Sequence, residues 1–408
     1  MLKKLVFEMN QPFGRFYVTK FKASELLKFA FSDSIRRSED GSDGIQRPLD
    51  PNRTGEIQDY IRSKNCAFPN SIILAANISP EGFVMDEEKS IWSLESRDNG
   101  PDGENYMLIP KVAKMATIID GQHRLFGFDR FSESELQEYD TELLCSVYLD
   151  LPASLQAFLF ATINSNQRKV PKDIAYQLFG YDIVETPSKL WSPDKVAISV
   201  ARKLEEESIL TGPISVTGLG PRSKMGLSLS AVTDAILRLI SSDPKKDKNL
   251  IADRKQSIKN RAALADHRHN DKAPLRDFYL NELDYSLFKV VSNFLTAATE
   301  NLTSFSNPKS ALNKGIGWHG LLDALRMYLS HQLKSTGSLE EVDMTKEVFV
   351  ELLSKSKNVN YESNYYLRTT GVGRTRIRKT ILYAYDQSLE KTMSEEDIKE
   401  IEKALAES

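Results

Sequence analysis

The stretch Met115-Ala116-Thr117-Ile118-Ile119-Asp120-Gly121-Gln122-His123-Arg124-Leu125-Phe126-Gly127-Phe128 constrains the fold of this chain more than any other. Its apolar and β-branched start reads as a short buried strand. The strand breaks into a polar Asp-Gly-Gln-His-Arg cluster, and a second apolar segment follows as a helix. A strand that turns through glycine into a helix leaves backbone N–H groups unpaired at the helix start. Those donors, with the positive end of the helix dipole, favour an anion. Gly121 permits a sharp turn and the close approach of a ligand. Arg124 adds a planar fork that can hold two phosphate oxygens, which lysine cannot copy. These residues alone predict a phosphate site at the end of a strand.

The surrounding pattern predicts a mixed α/β (α+β) architecture. Residues 10–20 read as a first strand, 23–31 as a short helix, and Ser71–Ala75 and Thr141–Leu149 as further strands. Thr54 is the expected N-cap of a helix carrying Ile57, Tyr60 and Ile61 on one face. Leu155–Ile163 reads as an apolar helix. Beyond about residue 172 helical periodicity dominates, at Val196–Glu207, Ala231–Ser241, Leu280–Thr299, Gly315–His331, Met344–Leu353 and Arg376–Leu389. The expected domains are therefore residues 1–175, an α/β domain, and 176–408, mostly helical. Residues 242–276, rich in Lys, Arg and Asp, read as a flexible or solvated basic segment within the second.

A length of 408 residues suits two or three domains, and 27% charged with 40% hydrophobic residues is ordinary for a soluble globular chain. No apolar run approaches a membrane span, and the N-terminus lacks the apolar core of a signal peptide, so a cytoplasmic protein is expected. Cys66 and Cys145 stand far apart in apolar surroundings and read as buried free thiols. The formal charge of -3 excludes a globally basic nucleic-acid binder, so any such binding must come from local patches. Walker A, Gly-x-Ser-x-Gly, HExxH and Cys-x-x-Cys motifs are missing from the sequence. His267 and His269 lack a second ligand cluster, and no metal site is expected.

Asp120 to Arg124 spell the signature of the DGQHR-domain proteins, and the chain resembles that family, including its DndB-type members encoded with DNA phosphorothioation systems. Gln46-Arg47-Pro48-Leu49-Asp50-Pro51-Asn52-Arg53 looks like the family's upstream block, and Phe160 to Val170 like its downstream one. The resemblance covers roughly residues 10–180 and extends to the ParB/sulfiredoxin-like superfamily. It implies a ParB/sulfiredoxin-like N-terminal domain in which a Gly-x-x-Arg turn binds phosphates and the Gln46-Arg47 segment lies beside it. The implied pocket comprises Gln46, Arg47, Arg53, Asp120, Gly121, Gln122, His123 and Arg124, with Asn164, Asn166 and Gln167 along its rim. His123 is read either as an acid or base or as a residue that orders the turn. Asp120 is read as a cap, a sugar-hydroxyl acceptor or a Mg²⁺ holder. Gln122 occupies the neighbourhood where the sulfiredoxin branch has a reactive cysteine, which argues against thiol chemistry.

The segment Tyr365 to Lys379 carries five basic residues and no acidic one. Arg368, Arg374, Arg376, Arg378 and Lys379 are candidates for contact with a DNA backbone, with tyrosines to stack on bases; the alternative is an intramolecular clamp on an acidic surface. The resemblance implies a DNA-associated protein of a DNA-modification or phage-defence system, acting by DNA binding and transcriptional regulation. The alternative is an NTPase that takes ATP or CTP with Mg²⁺ to power a modification complex; no catalytic base is identifiable for it. DNA, other proteins of such a complex and a second copy of the chain are the partners considered.

Overall fold

In residues 14–22, Tyr17, Thr19 and Phe21 share one face, and burial of all three makes this segment an inner strand. In the computed structural model it is β2 (Gly14–Lys22), paired antiparallel with β1 (Leu2–Gln11). The structure describes residues 1–32, 49–79, 84–85, 91–96, 105–111, 113–166, 176, 186–207, 228–253, 258–267, 271–368, 371–390 and 393–407. Contacts divide the chain into two compact units, residues 1–168 with 252–255, and residues 169–251 with 256–408.

The first unit holds a mixed sheet completed by β3 (Ala30–Phe31), β4 (Ile72–Ala76), β5 (Ser93–Ser96), β6 (Asn105–Ile109), β7 (Ala116–Asp120) and β8 (Glu142–Leu149). Its order is β3-β7-β4-β8-β2-β1-β6-β5, with β3/β7 and β4/β8 parallel and the other pairs antiparallel. Three helices, α1 (Ala23–Phe29), α2 (Pro51–Arg62) and α3 (Gln122–Phe126), send Leu26, Phe29, Ile61 and Leu125 into a core with Tyr17, Phe21, Leu74, Ile118 and Val147. A side chain buried as completely as Ile61 contributes about 1.5–3 kcal/mol. After α4 (Glu133–Tyr139) and β8, α5 (Ala153–Asn166) places Leu159 and Phe160 against Phe16, Ala75, Ile119 and Tyr148 on the other side of the sheet. The N-cap of α2 is Asp50, whose carboxylate accepts from the Asn52 amide, with Pro51 in the first turn. Thr54, the expected cap, is buried one turn later and donates its hydroxyl to the carbonyls of Asp50 and Pro51.

The second unit is helical: α6 (Pro193–Glu206), α7 (Leu229–Ile240), α8 (Pro244–Ala252), α9 (Leu264–His267), α10 (Arg276–Leu280), α11 (Asp284–Asn301), α12 (Gly315–Thr336), α13 (Lys346–Ser354), α14 (Gly371–Tyr385) and α15 (Glu395–Ala406). Val196, Ile236, Phe294, Leu325, Phe349 and Ile381 belong to its single core. Gly315 abuts Ala231 while Arg238 reaches Asp323, so α7 and α12 run parallel. Ile316 abuts Gly373 and Tyr328 meets the Tyr385 ring, so α14 runs parallel to them as well.

The described part of 242–276 is folded rather than a solvated stretch. Asp247, fully buried, receives the Arg276 guanidinium at 2.5 and 2.9 Å and the Ser241 hydroxyl at 2.5 Å. Arg261, equally buried, grips Asp284 at 2.7 and 2.9 Å. Charge density in that segment signals internal pairing, because buried charges persist only when paired. Among the described residues no helix is long and apolar enough to cross a membrane.

Candidate functional site

Strand β7 is buried along Ala116–Ile119 and emerges at Asp120, where Gly121 turns the chain with φ of +98°. That left-handed conformation suits glycine, and a Cβ here would meet the Arg124 guanidinium and Ile72 at 3.0 Å. The missing side chain leaves room for Arg124 to fold back over the turn. Its Nη2 donates to Asp120 Oδ2 at 2.7 Å and to the Ser71 carbonyl at 3.1 Å, and its Nη1 donates to the Asn70 carbonyl at 2.5 Å. The fork predicted to close on phosphate oxygens thus closes on the protein, joining the end of β7 to the segment that leads into β4. The helix that follows has only five residues; its dipole is correspondingly small, since the macrodipole grows by alignment of successive peptides.

Gln122 is buried and accepts the Ser32 hydroxyl at 2.6 Å. His123 is partly buried, and burial, reinforced by the neighbouring Arg53 charge, lowers its pKa against the opposing pull of Asp50 and Asp120. The ring is therefore neutral at pH 7, and its Nδ1 is buried with no hydrogen-bond partner among the described residues. Arg53, in the first turn of α2, is exposed, and no carboxylate among the described residues pairs with it. The turn thus brings Asp120, Gly121, Gln122, His123 and Arg124 together with Arg53 nearby. Asp120 is tied to Arg124, and the neutral His123 ring adds no charge to the turn. Gln46, Arg47 and Gln167 lie outside the described residues. Asn164 and Asn166 form the last turn of α5.

In the second unit the expected DNA-binding segment forms the start of α14. The Gly-Val-Gly run is helical, and its Gly373 is required because a Cβ there would come within 2.3 Å of the Tyr366 carbonyl. Arg374 pairs with Asp323. The Arg376 guanidinium lies 4.0 Å from the centre of the Tyr365 ring and donates to the Tyr365 carbonyl at 3.1 Å. Arg378 holds Glu390 at 2.6 Å, and Lys379 holds Asp397 at 2.8 Å. Burial opposes ionisation of Asp397, yet hydrogen bonds from Lys379, Tyr365 and Ser394 outweigh it and keep its carboxyl below the usual range. Arg368 is exposed and has no carboxylate partner among the described residues. The geometry of Arg374 to Lys379 is that of the intramolecular clamp.

One polar group escapes the sequence altogether. Asn77, buried at the end of β4 with φ of +64°, donates to the Trp92 carbonyl and to Asp150, and accepts from the Trp92 amide. Nothing around it in the sequence marks it, since both its partners are remote.

The family described as DndB, DNA-sulfur modification-associated, matches residues 5–260. Comparisons with curated proteins and with solved structures give no match. The family match spans more than half of the chain, and the chain belongs to that family.

Proposed function

We propose that this member of the DNA-sulfur modification-associated family works by binding DNA within such a modification system, with Arg53 on the phosphate backbone. The observation that carries the reading is the exposed Arg53 guanidinium, unpaired among the described residues and set beside a neutral His123. An unpaired guanidinium takes a phosphate oxygen without first breaking an ion pair. With a formal charge of -3, affinity for a polyanion depends on local positions such as this one. Arg124 acts here as the clamp that positions the turn; that Gln46, Arg47, Asn164, Asn166 and Gln167 also take part rests on the family resemblance alone. Regulation of the modification genes, which the resemblance to DndB-type proteins implies, requires only such binding.

The test is duplex DNA binding measured by fluorescence anisotropy across a salt series. The logarithmic salt slope should fall by about one in Arg53→Ala, as expected for one lost phosphate contact. An unchanged slope removes Arg53 from the interface. Thermal stabilisation by one nucleoside triphosphate with Mg²⁺, and none by DNA, would instead favour the nucleotide-driven alternative.

A further inference from the structure

We propose that Arg238, Arg326 and Arg374, together with His319, form a binding site for a phosphate-type oxyanion in the helical unit. Three guanidinium groups converge on one carboxylate, Asp323, which is 2% exposed. Arg238 comes from α7 and binds through Nε at 3.1 Å; Arg374 comes from α14 and pairs directly. These two donors already occupy both oxygens of Asp323. Arg326, one turn beyond Asp323 on α12, stands 3.8 Å off, too far for a hydrogen bond. Its Nε is buried and has no partner among the described residues.

The charge at this place does not balance. Asp234 is the second acidic group facing it, and its carboxylate accepts the Tyr176 hydroxyl at 2.8 Å. Among the described residues three permanent cations therefore face two carboxylates. His319 adds no charge: it accepts from Arg238 through Nδ1 at 2.9 Å, which puts the ring proton on Nε2 as a further donor. The side chains of Arg238, Arg326 and Arg374 remain 26%, 35% and 31% exposed, so they are open to a ligand from solvent. Arg374 also sits in the first turn of α14, where a cation is disfavoured by the helix dipole. An arrangement that adds the unmatched Arg326 guanidinium to two that share one carboxylate is stabilised by an anion. Planar forks with several N–H donors select a tetrahedral oxyanion with multiple acceptor oxygens, such as phosphate, over chloride.

The experiment uses the full chain, with inorganic phosphate against chloride at matched ionic strength, read by thermal shift and calorimetry. Phosphate should raise the melting temperature of the wild type. Arg326→Ala should bind phosphate at least about tenfold more weakly, the loss of one charge-assisted contact. Should the alanine variant not fold, Arg326→Lys keeps the charge and the aliphatic stem but loses the fork, and it too should bind phosphate more weakly. Absence of a phosphate-specific shift, or the same phosphate affinity in the folded variant, overturns the proposal. A short duplex then identifies the source of the oxyanion. A reduced DNA salt slope in Arg326→Ala assigns it to the DNA backbone. Lost phosphate binding with unchanged DNA affinity assigns it to a small phosphate compound. The Arg53 reading uses other residues and stands or falls separately.

Discussion

Replacing Arg124 with alanine should unlock the Asp120–Arg124 turn without any ligand being present. The side chain donates three hydrogen bonds, to Asp120 and to the carbonyls of Asn70 and Ser71. A hydrogen bond from a charged donor contributes about 1.5–3 kcal/mol where its partner is left unsatisfied. Here the discount is substantial, because the Asp120 and Arg124 side chains are 28% and 18% exposed and water can replace part of what is lost. The expected cost is about 2 kcal/mol, the loss of roughly one and a half decades in the closing equilibrium. Two compact units make a single melting curve ambiguous, so hydrogen exchange resolved by peptide is the better assay. Peptides across residues 113–126 should exchange about 30-fold faster in Arg124→Ala. Arg124→Lys should fall between, retaining the attraction to Asp120 but not the simultaneous reach to two carbonyls. Exchange within about twofold of wild type in the alanine variant would refute the clamp and return Arg124 to the role of a free ligand-binding fork.

Other perturbations follow from the same contacts. Asp247→Ala removes both direct hydrogen bonds from the buried Arg276 guanidinium to a carboxylate and leaves it Asp271, 3.8 Å away, as its carboxylate partner, so it should destabilise the helical unit by about 3 kcal/mol, measurable by urea unfolding. Burial first, then Arg238 and Arg374, push the pKa of His319 down to about 4. From the ordinary histidine range down to that value the unfolded chain binds a proton that the folded chain does not, so stability should decline as pH falls through this window and be insensitive to His319 above it. Melting temperatures across pH 4–8 for wild type and His319→Gln check this, and an equally steep decline in the variant would remove His319 as its source. Burial raises the Cys145 thiol to about 12, so iodoacetamide at pH 8 should leave it unmodified until the protein is denatured; labelling in the folded state would contradict its placement.

The strand, the glycine turn and the short helix at 115–128 are legible because each rests on local chemistry: β-branched residues, a left-handed glycine, and an apolar restart. The direction of the Arg124 fork is not. Its spacing from Asp120 fits an internal ion pair as well as an anion, and the deciding carbonyls lie 53 and 54 positions away. The basic run of α14 shows the same limit in a different form. Lys379 and Arg378 find their carboxylates within 18 residues, in the acidic stretch that follows, and that signal is visible in the sequence. Asp323, the partner of Arg374, lies on another helix 51 residues away, and only the packing of α12 against α14 brings them together. Strand β1 escapes because Lys3, Lys4 and Glu8 interrupt its apolar residues, and pairing on both sides with β2 and β6 overrides weak local preference.

The strand order carries a consequence for behaviour at high concentration. The outermost strands of the sheet are β3, two residues long, and β5, four residues long. A neighbouring molecule seeking to extend the hydrogen-bonded ladder would find little backbone to template on, and on β5 it would meet Glu95 held in an ion pair with Lys3. The long, strongly pairing strands are all interior. Short and charged borders of this kind discourage strand-to-strand polymerisation, so the first unit combines an extensive sheet with a low tendency to seed fibres.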